Sequence, residues 1–327
     1  MVPFTAFRVT LAPMVRTVGG CCVPPGARVS RPACCLFELL APVAFDFESA
    51  MIVIRHRETG APLLEVSADS LAGADLEGAM LLGADLRGAD LRGAHLRVVD
   101  LCQADLRGAI LDSADLRDAD VTLANLVGAS LRNATITDAR FQGINMGAGV
   151  PAGTDFSGAD LTRSYLNFSN LTGCKFGDAV MRGIDLTRCD LAGAAMTGAD
   201  LTGGNLSNSK LPDVDLSYAM LAGALINDSD LRRANLREAD LATATFSGNR
   251  LGEADFTGAH LSRTVFARSH DLHQARGLDS LEYFSPSCID LETLRECLAG
   301  LPDEFLEGMG LETRELEALR GAAAPAL

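Results

Sequence analysis

Histidine and cysteine are the side chains best suited to hold a metal or to attack a substrate, and this chain of 327 residues carries five and nine of them. His270 and His273 are three apart, a spacing at which two imidazoles can share an ion. No further ligand follows at zinc-like spacing, so a solvated cap is the better account of the pair. His56, His95 and His260 are scattered. Cys21-Cys22 and Cys34-Cys35 are adjacent pairs rather than C-x2-C, and with Cys102, Cys174, Cys189, Cys288 and Cys297 the set is odd and irregular. That pattern argues against both a zinc site and a secreted disulfide framework. No phosphate-cradling glycine loop and no nucleophile elbow occurs. These residues point to no catalytic site, no cofactor and no metal.

Carboxylates are the abundant charged type. Asp and Glu number 43 against 28 Lys and Arg, for a net charge of −15. Direct nucleic-acid binding needs Lys and Arg to displace counterions, so this balance argues against it. It suits a basic protein partner. No apolar run approaches the ~20 residues that span a bilayer, and a cytoplasmic location is expected. Aromatics make up only 5% and Trp is absent, so any core must be narrow and built from Ala and Leu.

The elements that would position these charges follow from the stretch "ADLRGADLRGAHLRVVDLCQADLRGAILDSADL", residues 84–116, where leucine returns every fifth residue. Five fits neither the 3.6 period of a helix nor the 2 of a strand. Stepping by five from Val66 through Leu71 and Leu76 to Phe266 gives forty-one positions, all apolar, with Pro151 the one abnormal core side chain. Two residues before each centre stands Ala or a small substitute such as Ser164, Ser169, Cys174, Cys189, Gly204 or Thr264. Each unit therefore turns two side chains inward and three outward. Four units close a twenty-residue coil, and stacked coils pair as parallel ladders ~4.8 Å apart. Ten coils make a rod of about 48 Å on that spacing. Cys174 and Cys189 fall in the small inward slot as inert Ala substitutes, whereas Cys102 falls outward as an accessible thiol.

"ADLRG", "ADLEG", "ANLVG", "ADFSG" and "ADLTG" resemble the A(D/N)LXX motif of the pentapeptide repeat protein family, over roughly residues 66–270. The resemblance implies an all-β solenoid, a right-handed quadrilateral parallel β-helix. It fixes no function. Some members of the family inhibit or protect DNA gyrase by resembling DNA in shape and charge, and most have no assigned role. The tail also resembles C-terminal segments of other bacterial members.

Around the repeat, four regions are expected. Residues 1–50 carry prolines, arginines and paired cysteines, with no acid before Glu38. They read as a basic targeting segment, a disordered extension, or sequence upstream of a true start at Met51, and the last reading is preferred. Residues 51–66 read as a β-hairpin cap turning at "ETGA", and 67–270 as the coil. Residues 271–327 read as an α-helical cap, with Asp290 as N-cap, Leu291, Leu294 and Leu298 on one face, and two more helices divided near Gly308 and Gly310. These apolar residues, with Phe305 and Leu306, are expected to cover the last coil or to make a homodimer through the helices. In "INMGAGVPAGT", Gly149 and Pro151 occupy inward slots, which predicts a kink, bulge or lost pairing near 147–153.

Sorting outward charges by a strict twenty-residue coil singles out the face centred on Leu76, Leu96, Leu116, Ile136, Phe156 and Phe176. It collects Asp75, Glu77, Asp115, Asp118, Asp138, Asp155, Asp178, Asp215, Glu238 and Asp255 against Arg97, Arg117, Lys175 and Arg237, an excess of six acids. The face centred on Leu71 and Leu91 balances, and the other two are each negative by about one. The competing account is that Asp before each centre serves the turn. Two functions follow as expectations: a non-enzymatic rod that binds a protein through this acidic face, or a DNA mimic acting on gyrase or another DNA-binding protein. Arg87, Arg92, Arg97, Arg107 and Arg117 interrupt the acidity and weaken the second. If Met51 starts the working protein, residues 51–327 alone should be as soluble and heat-resistant as the full chain. Loss of folding on removing 1–50 would count against that start.

Overall fold

The computed structural model describes residues 50–144 and 153–323. Strand β1 (Met51–His56) pairs antiparallel with β2 (Pro62–Ser67) and, on its other side, with β3 (Ala84–Asp85) of the first coils. The His56 ring closes this hairpin, its Nδ1 accepting the backbone N–H groups of Glu58 and Thr59 at 3.2 and 3.3 Å. Short strands recur late in the coil: β4 (Leu225–Asn227), β5 (Thr245–Ser247), β6 (His260–Ser262), β7 (Val265–Ala267), β8 (Glu282–Ser285) and β9 (Cys288–Ile289). They pair in parallel as β4-β5-β7-β9 and β6-β8. Elsewhere the coils are joined by single parallel bridges.

One unit, Ala114–Asp118, shows why five residues repeat. Asp115 N–H donates to Ala94 O of the preceding coil at 3.0 Å, while Leu116 and Asp118 donate to Thr135 O and Thr137 O of the following coil at 2.7 and 3.1 Å. Ala114 N–H closes the previous turn on Leu111 O at 3.0 Å. The fifth donor, Arg117 N–H, has no ladder partner and is taken by Oδ1 of Asp115 at 3.2 Å. All five donors are thereby satisfied, as buried backbone requires. The corner residue, two after the centre, turns through left-handed backbone, for example Asp118 at φ 60 and Gly128 at φ 70. Leu116 and Ala114 point inward and are buried.

The coils repeat every twenty residues from Asp75↔His95 to Asp120↔Arg140. Ser130, Thr135 and Arg140 then bridge to Asp155, Asp160 and Tyr165, a step of twenty-five, before the twenty-residue step returns at Asp155↔Lys175. One coil therefore holds a fifth unit. The added residues fall between Ile144 and Gly153; the expected irregularity at 147–153, with Gly149 and Pro151, lies almost wholly in 145–152, outside the described residues. Because the insertion is one whole unit, every later inward slot still points inward. The side-chain columns nevertheless shift: Ile136 N–H donates to Asp160 O, so Ile136 stacks with Leu161, and Leu131 takes the place beside Phe156.

Leu and Phe fill the wide slots, with Phe156 on Phe176 and Phe246 on Phe266 stacked at ring separations of 5.1 Å. At one corner the small slot is polar for six successive coils: Ser169, Cys189, Ser209, Ser229, Asn249 and Ser269. Cys189 N–H donates to Ser209 Oγ, Ser209 N–H to Ser229 Oγ and Ser229 N–H to Asn249 Oδ1, at 3.0, 3.1 and 2.8 Å. Each side chain also donates to a carbonyl of the preceding coil, Cys189 to Leu166 O and Ser209 to Leu186 O among them. Cys189 is thus a working member of a buried polar column rather than a bare Ala substitute. Burial pushes its thiol up to about 12.

This column leads into the C-terminal cap. Ser269 N–H donates to Thr293 Oγ1 of helix α1 (Leu291–Cys297) at 2.9 Å. Asp290 caps that helix, accepting Thr293 N–H at 2.9 Å. The parallel ladder does not stop at residue 270, because β8 and β9 add most of another coil before α1 begins. Helices α2 (Asp303–Gly308) and α3 (Thr313–Ala323) follow. Phe305 is buried with its ring 5.9 Å from that of Phe266 on the last coil. Leu294, Leu298 and Leu306 are buried too, but Leu291 is 66% exposed and does not share their face. Replacing Asn249 by Ala would strand the Ser229 N–H and the Ile226 carbonyl it now serves. Leaving such buried groups unpaired costs about 1–3 kcal/mol, so urea denaturation of Asn249→Ala should show a loss in that range, with Ala234→Gly, in an apolar slot of the same rod, as a reference for small-slot changes.

Candidate functional site

With the twenty-five-residue coil in place, the outward residues sort onto four faces. The first is centred on Leu71, Leu91, Leu111, Leu131, then Phe156 through Phe256; the second on Leu76, Leu96, Leu116, Ile136, then Leu161 through Leu261. The third runs Leu81, Leu101, Val121, Phe141, then Leu166 through Phe266, and the fourth begins Leu86, Leu106, Leu126 and continues from Leu171.

This overturns the single acidic face. Asp75, Glu77, Asp115, Asp118 and Asp138 stay together on the second face, but Asp155, Asp178, Asp215, Glu238 and Asp255 stand on the first. The physical reason is the added unit, which turns everything after residue 153 by one side. By the same count the first face has seven acids against four bases and the second eight against five, three excess charges each. The third face is negative by one and the fourth, among described residues, is neutral.

Most of these carboxylates are engaged. Asp before each centre accepts the N–H two residues on, in units starting with Asp75, Asp85, Asp115, Asp155, Asp215 and Asp255 among others. In D-L-R units the arginine then folds back onto its own aspartate. Arg117 meets Asp115 at 2.8 and 2.5 Å, and Arg87, Arg92, Arg107 and Arg232 repeat the arrangement. Hydrogen bonding from Arg92 holds the Asp90 carboxyl down at about 2. Asp115 is lowered chiefly by Arg117. Partial burial pulls Asp215 upward, and hydrogen bonds from Ser217, Thr197 and Asn235 outweigh it. Across coils, Asp138 pairs with Arg163, Asp255 with Arg237 at 3.4 Å, and Glu77 with Arg97 at 3.7 Å. The turn account of Asp is therefore correct for the residue before the centre. Asp118, Asp138, Asp178 and Glu238 are corner residues that cap no turn.

The third face holds what the twenty-residue sorting missed. Met80, Leu82, Leu123, Tyr165, Phe168 and Leu225 all project from it, between 43% and 70% exposed. A strict period of twenty assigns the last three to the neighbouring side and breaks the strip in two. Cys102 lies on this face as well, but half-buried, and burial together with Asp120 and Asp100 pushes its thiol up to about 12. It is a half-buried, poor nucleophile rather than the accessible thiol expected. His270 and His273 do not converge on a metal: His270 Nδ1 lies 3.0 Å from Glu296 of α1, and no group of three or more His, Cys, Asp or Glu could hold an ion among the described residues. No described helix is long and apolar enough to cross a membrane.

A stack of coils of five-residue units, its interior filled by Ala, Leu and Phe, defines a repeat solenoid. A family model for pentapeptide repeats matches in eight copies, over residues 70–108, 109–147, 152–178, 179–217, 209–248 and 224–263. The chain belongs to the pentapeptide repeat family. Among solved structures it is similar to HetL of the cyanobacterium Nostoc sp. strain PCC 7120, described as involved in heterocyst differentiation regulation. That likeness has 25% identity, covers 64% of this chain and 92% of HetL, and has a TM-score of 0.45. QnrB1, described as a plasmid-mediated fluoroquinolone resistance protein, shares 16% identity, with 71% of this chain and 99% of QnrB1 covered and a TM-score of 0.33. Rfr23 of the cyanobacterium Cyanothece 51142 shares 19% identity, over 48% of this chain and 91% of Rfr23, with a TM-score of 0.15. No curated protein matches the chain significantly.

The turn chemistry implies a pH dependence. Asp85, Asp90, Asp115, Asp155, Asp215 and Asp255 are lowered in the folded state relative to an unfolded value of ~3.9, so their stabilisation is present above that value and is lost as pH falls toward their folded values. The melting temperature should be level above about pH 5 and fall between about pH 4 and 2. Asp115→Asn keeps a turn acceptor and loses the Arg117 pair, and should flatten its share of that fall.

Proposed function

We propose that the chain is a right-handed quadrilateral β-helix that acts as a non-enzymatic protein-binding rod, with a basic protein as its partner. The observation that carries this reading is the apolar strip on the third face, beside a second face with three excess acids. Exposed apolar side chains gathered on one side of a soluble protein mark interaction surfaces, and exposed acids attract a basic partner in a salt-dependent way. Inward slots filled throughout the described coil leave the chemistry to the surface.

The alternative, a DNA mimic that modulates gyrase or another DNA-binding protein, calls for a continuous negative surface. Here the acids divide between two faces and many are neutralised in place by arginine, which favours the first reading. A homodimer through the C-terminal helices would draw on Leu291 of α1 and on Phe284 of the adjoining β8, the large apolar side chains exposed at that end among the described residues.

Affinity capture with the full chain should retain a basic protein at low salt and release it as ionic strength rises. Reversal of the second-face corner acids, Asp118→Lys with Asp138→Lys, should weaken retention several-fold; neither residue caps a turn, so the melting temperature should fall only by what the exposed Asp138–Arg163 pair contributes. Purified gyrase should supercoil normally in its presence. Dose-dependent inhibition of supercoiling would select the alternative, and no salt-sensitive partner would defeat the binding reading.

A further inference from the structure

Exposed bulky residues stand in left-handed backbone at corners of three faces, Val98 on the second, Tyr218 on the first, and two of them on the third face. Its corner column places Leu123 at φ 59 and Phe168 at φ 62, in left-handed backbone that bulky L-residues avoid. Each is 58% exposed, so neither gains burial within the chain for the strain it accepts. Non-glycine residues held in left-handed backbone concentrate at functional surfaces.

The apolar residues are also spaced. Met80 and Leu82 project from the first coil of this face, Leu123 from the third, and Tyr165 with Phe168 from the fifth. Coils ~4.8 Å apart put these anchors at intervals of roughly 10 Å. An α-helix returns to the same face after seven residues, about 10.5 Å. An extended strand returns after two, ~6.8 Å, which fits poorly. Charge supplies the flanks. Asp100 and Asp185 on this face have no ion-pair partner among the described residues, whereas the face's Arg140 is 3.6 Å from Asp120 and Arg188 lies over the Phe168 ring at 5.3 Å.

We infer that the third face, from Met80 to Phe168, is the docking surface for an amphipathic helix of a partner protein, with apolar residues at heptad intervals and Lys or Arg on its flanks. This rests on the protein-binding reading above and specifies its surface and partner chemistry. The strip exists because the twenty-five-residue coil brings Tyr165 and Phe168 into line with Leu123.

The test is fluorescence anisotropy with the full chain and a labelled synthetic helix bearing Leu at positions 1, 8 and 15 and Lys beside them. Saturable binding is expected. It should be at least tenfold weaker for a helix of the same composition with the heptad scrambled, and for one with Glu in place of Lys. Leu123→Gly with Phe168→Gly should weaken binding at least tenfold while leaving the melting temperature equal or higher, because glycine relieves the strained backbone. Phe168→Leu should retain binding. Equal binding of the scrambled helix, no binding, or a fall in melting temperature with the glycine pair would overturn the inference. So would a wild-type dimer by light scattering that the glycine pair dissolves, since the occupant would then be a second copy. A photocrosslinker at position 168, compared with one at Thr137 on the second face, separates this from the broader reading. A basic protein joined only at 137 would defeat the third-face docking surface and leave the binding rod standing, and no adduct at either would defeat both.

Discussion

The N–H of the residue after each inward leucine has no partner in the ladder between coils. It lies at a corner, where the backbone turns away from both neighbouring coils, and in many units a carboxylate or amide one residue before the leucine supplies the missing acceptor. That bond accounts for most of the repeat. The acceptor must be short enough to reach back over two residues, which selects Asp and Asn. Where Ser130 stands in that place, Asp112 of the preceding coil reaches across to Arg132 N–H at 3.1 Å. The rod is acidic because its turns need acceptors, and a D-L-R unit returns part of that charge by folding arginine onto the same aspartate.

The two ends solve the problem of unpaired coil edges differently. At the start, β1 crosses the first coils antiparallel and leaves Ile54 buried over the core. At the finish, the polar column within the corner would present an unsatisfied donor at Ser269, and Thr293 of α1 accepts it. The same Thr293 donates its N–H to Asp290, so one residue joins the helix cap to the last coil. Phe305 extends the aromatic stack beyond Phe266 and completes the seal. With these residues turned inward, Leu291 and Phe284 are the large apolar side chains that the cap leaves exposed among the described residues.

The fold was legible because its signal is redundant: forty-one apolar positions at one spacing admit no other arrangement of inward and outward side chains. Asp290 as a helix cap was legible from local type and position. The faces were not, although each residue's inward or outward sense was. A period of five is indifferent to whether a coil holds four units or five, so no count along the sequence distinguishes Ile136 over Phe156 from Ile136 over Leu161. Pro151 and Gly149 marked the neighbourhood of the extra unit without giving its size. Leu123 and Phe168 are readable as apolar residues in outward slots, but their alignment depends on that unit. Cys102 shows the same limit: its outward slot was correct, while the two aspartates that flank its thiol on successive coils belong to the stacking.

The fifth unit has a consequence for how such a chain can change. Insertion or loss of a number of residues that is not a multiple of five would send leucines outward and Asp inward, and the core would be lost. Five is the smallest edit that the interior does not register. On the outside the same edit is drastic, because it rotates every residue beyond it by one side of the rod. Removing a unit between Ile144 and Gly153 would gather the divided acids onto one face and split the apolar strip across two. The surface of this solenoid is therefore a matter of phase: one sequence of outward residues can present different faces, and a single silent unit in the core decides which.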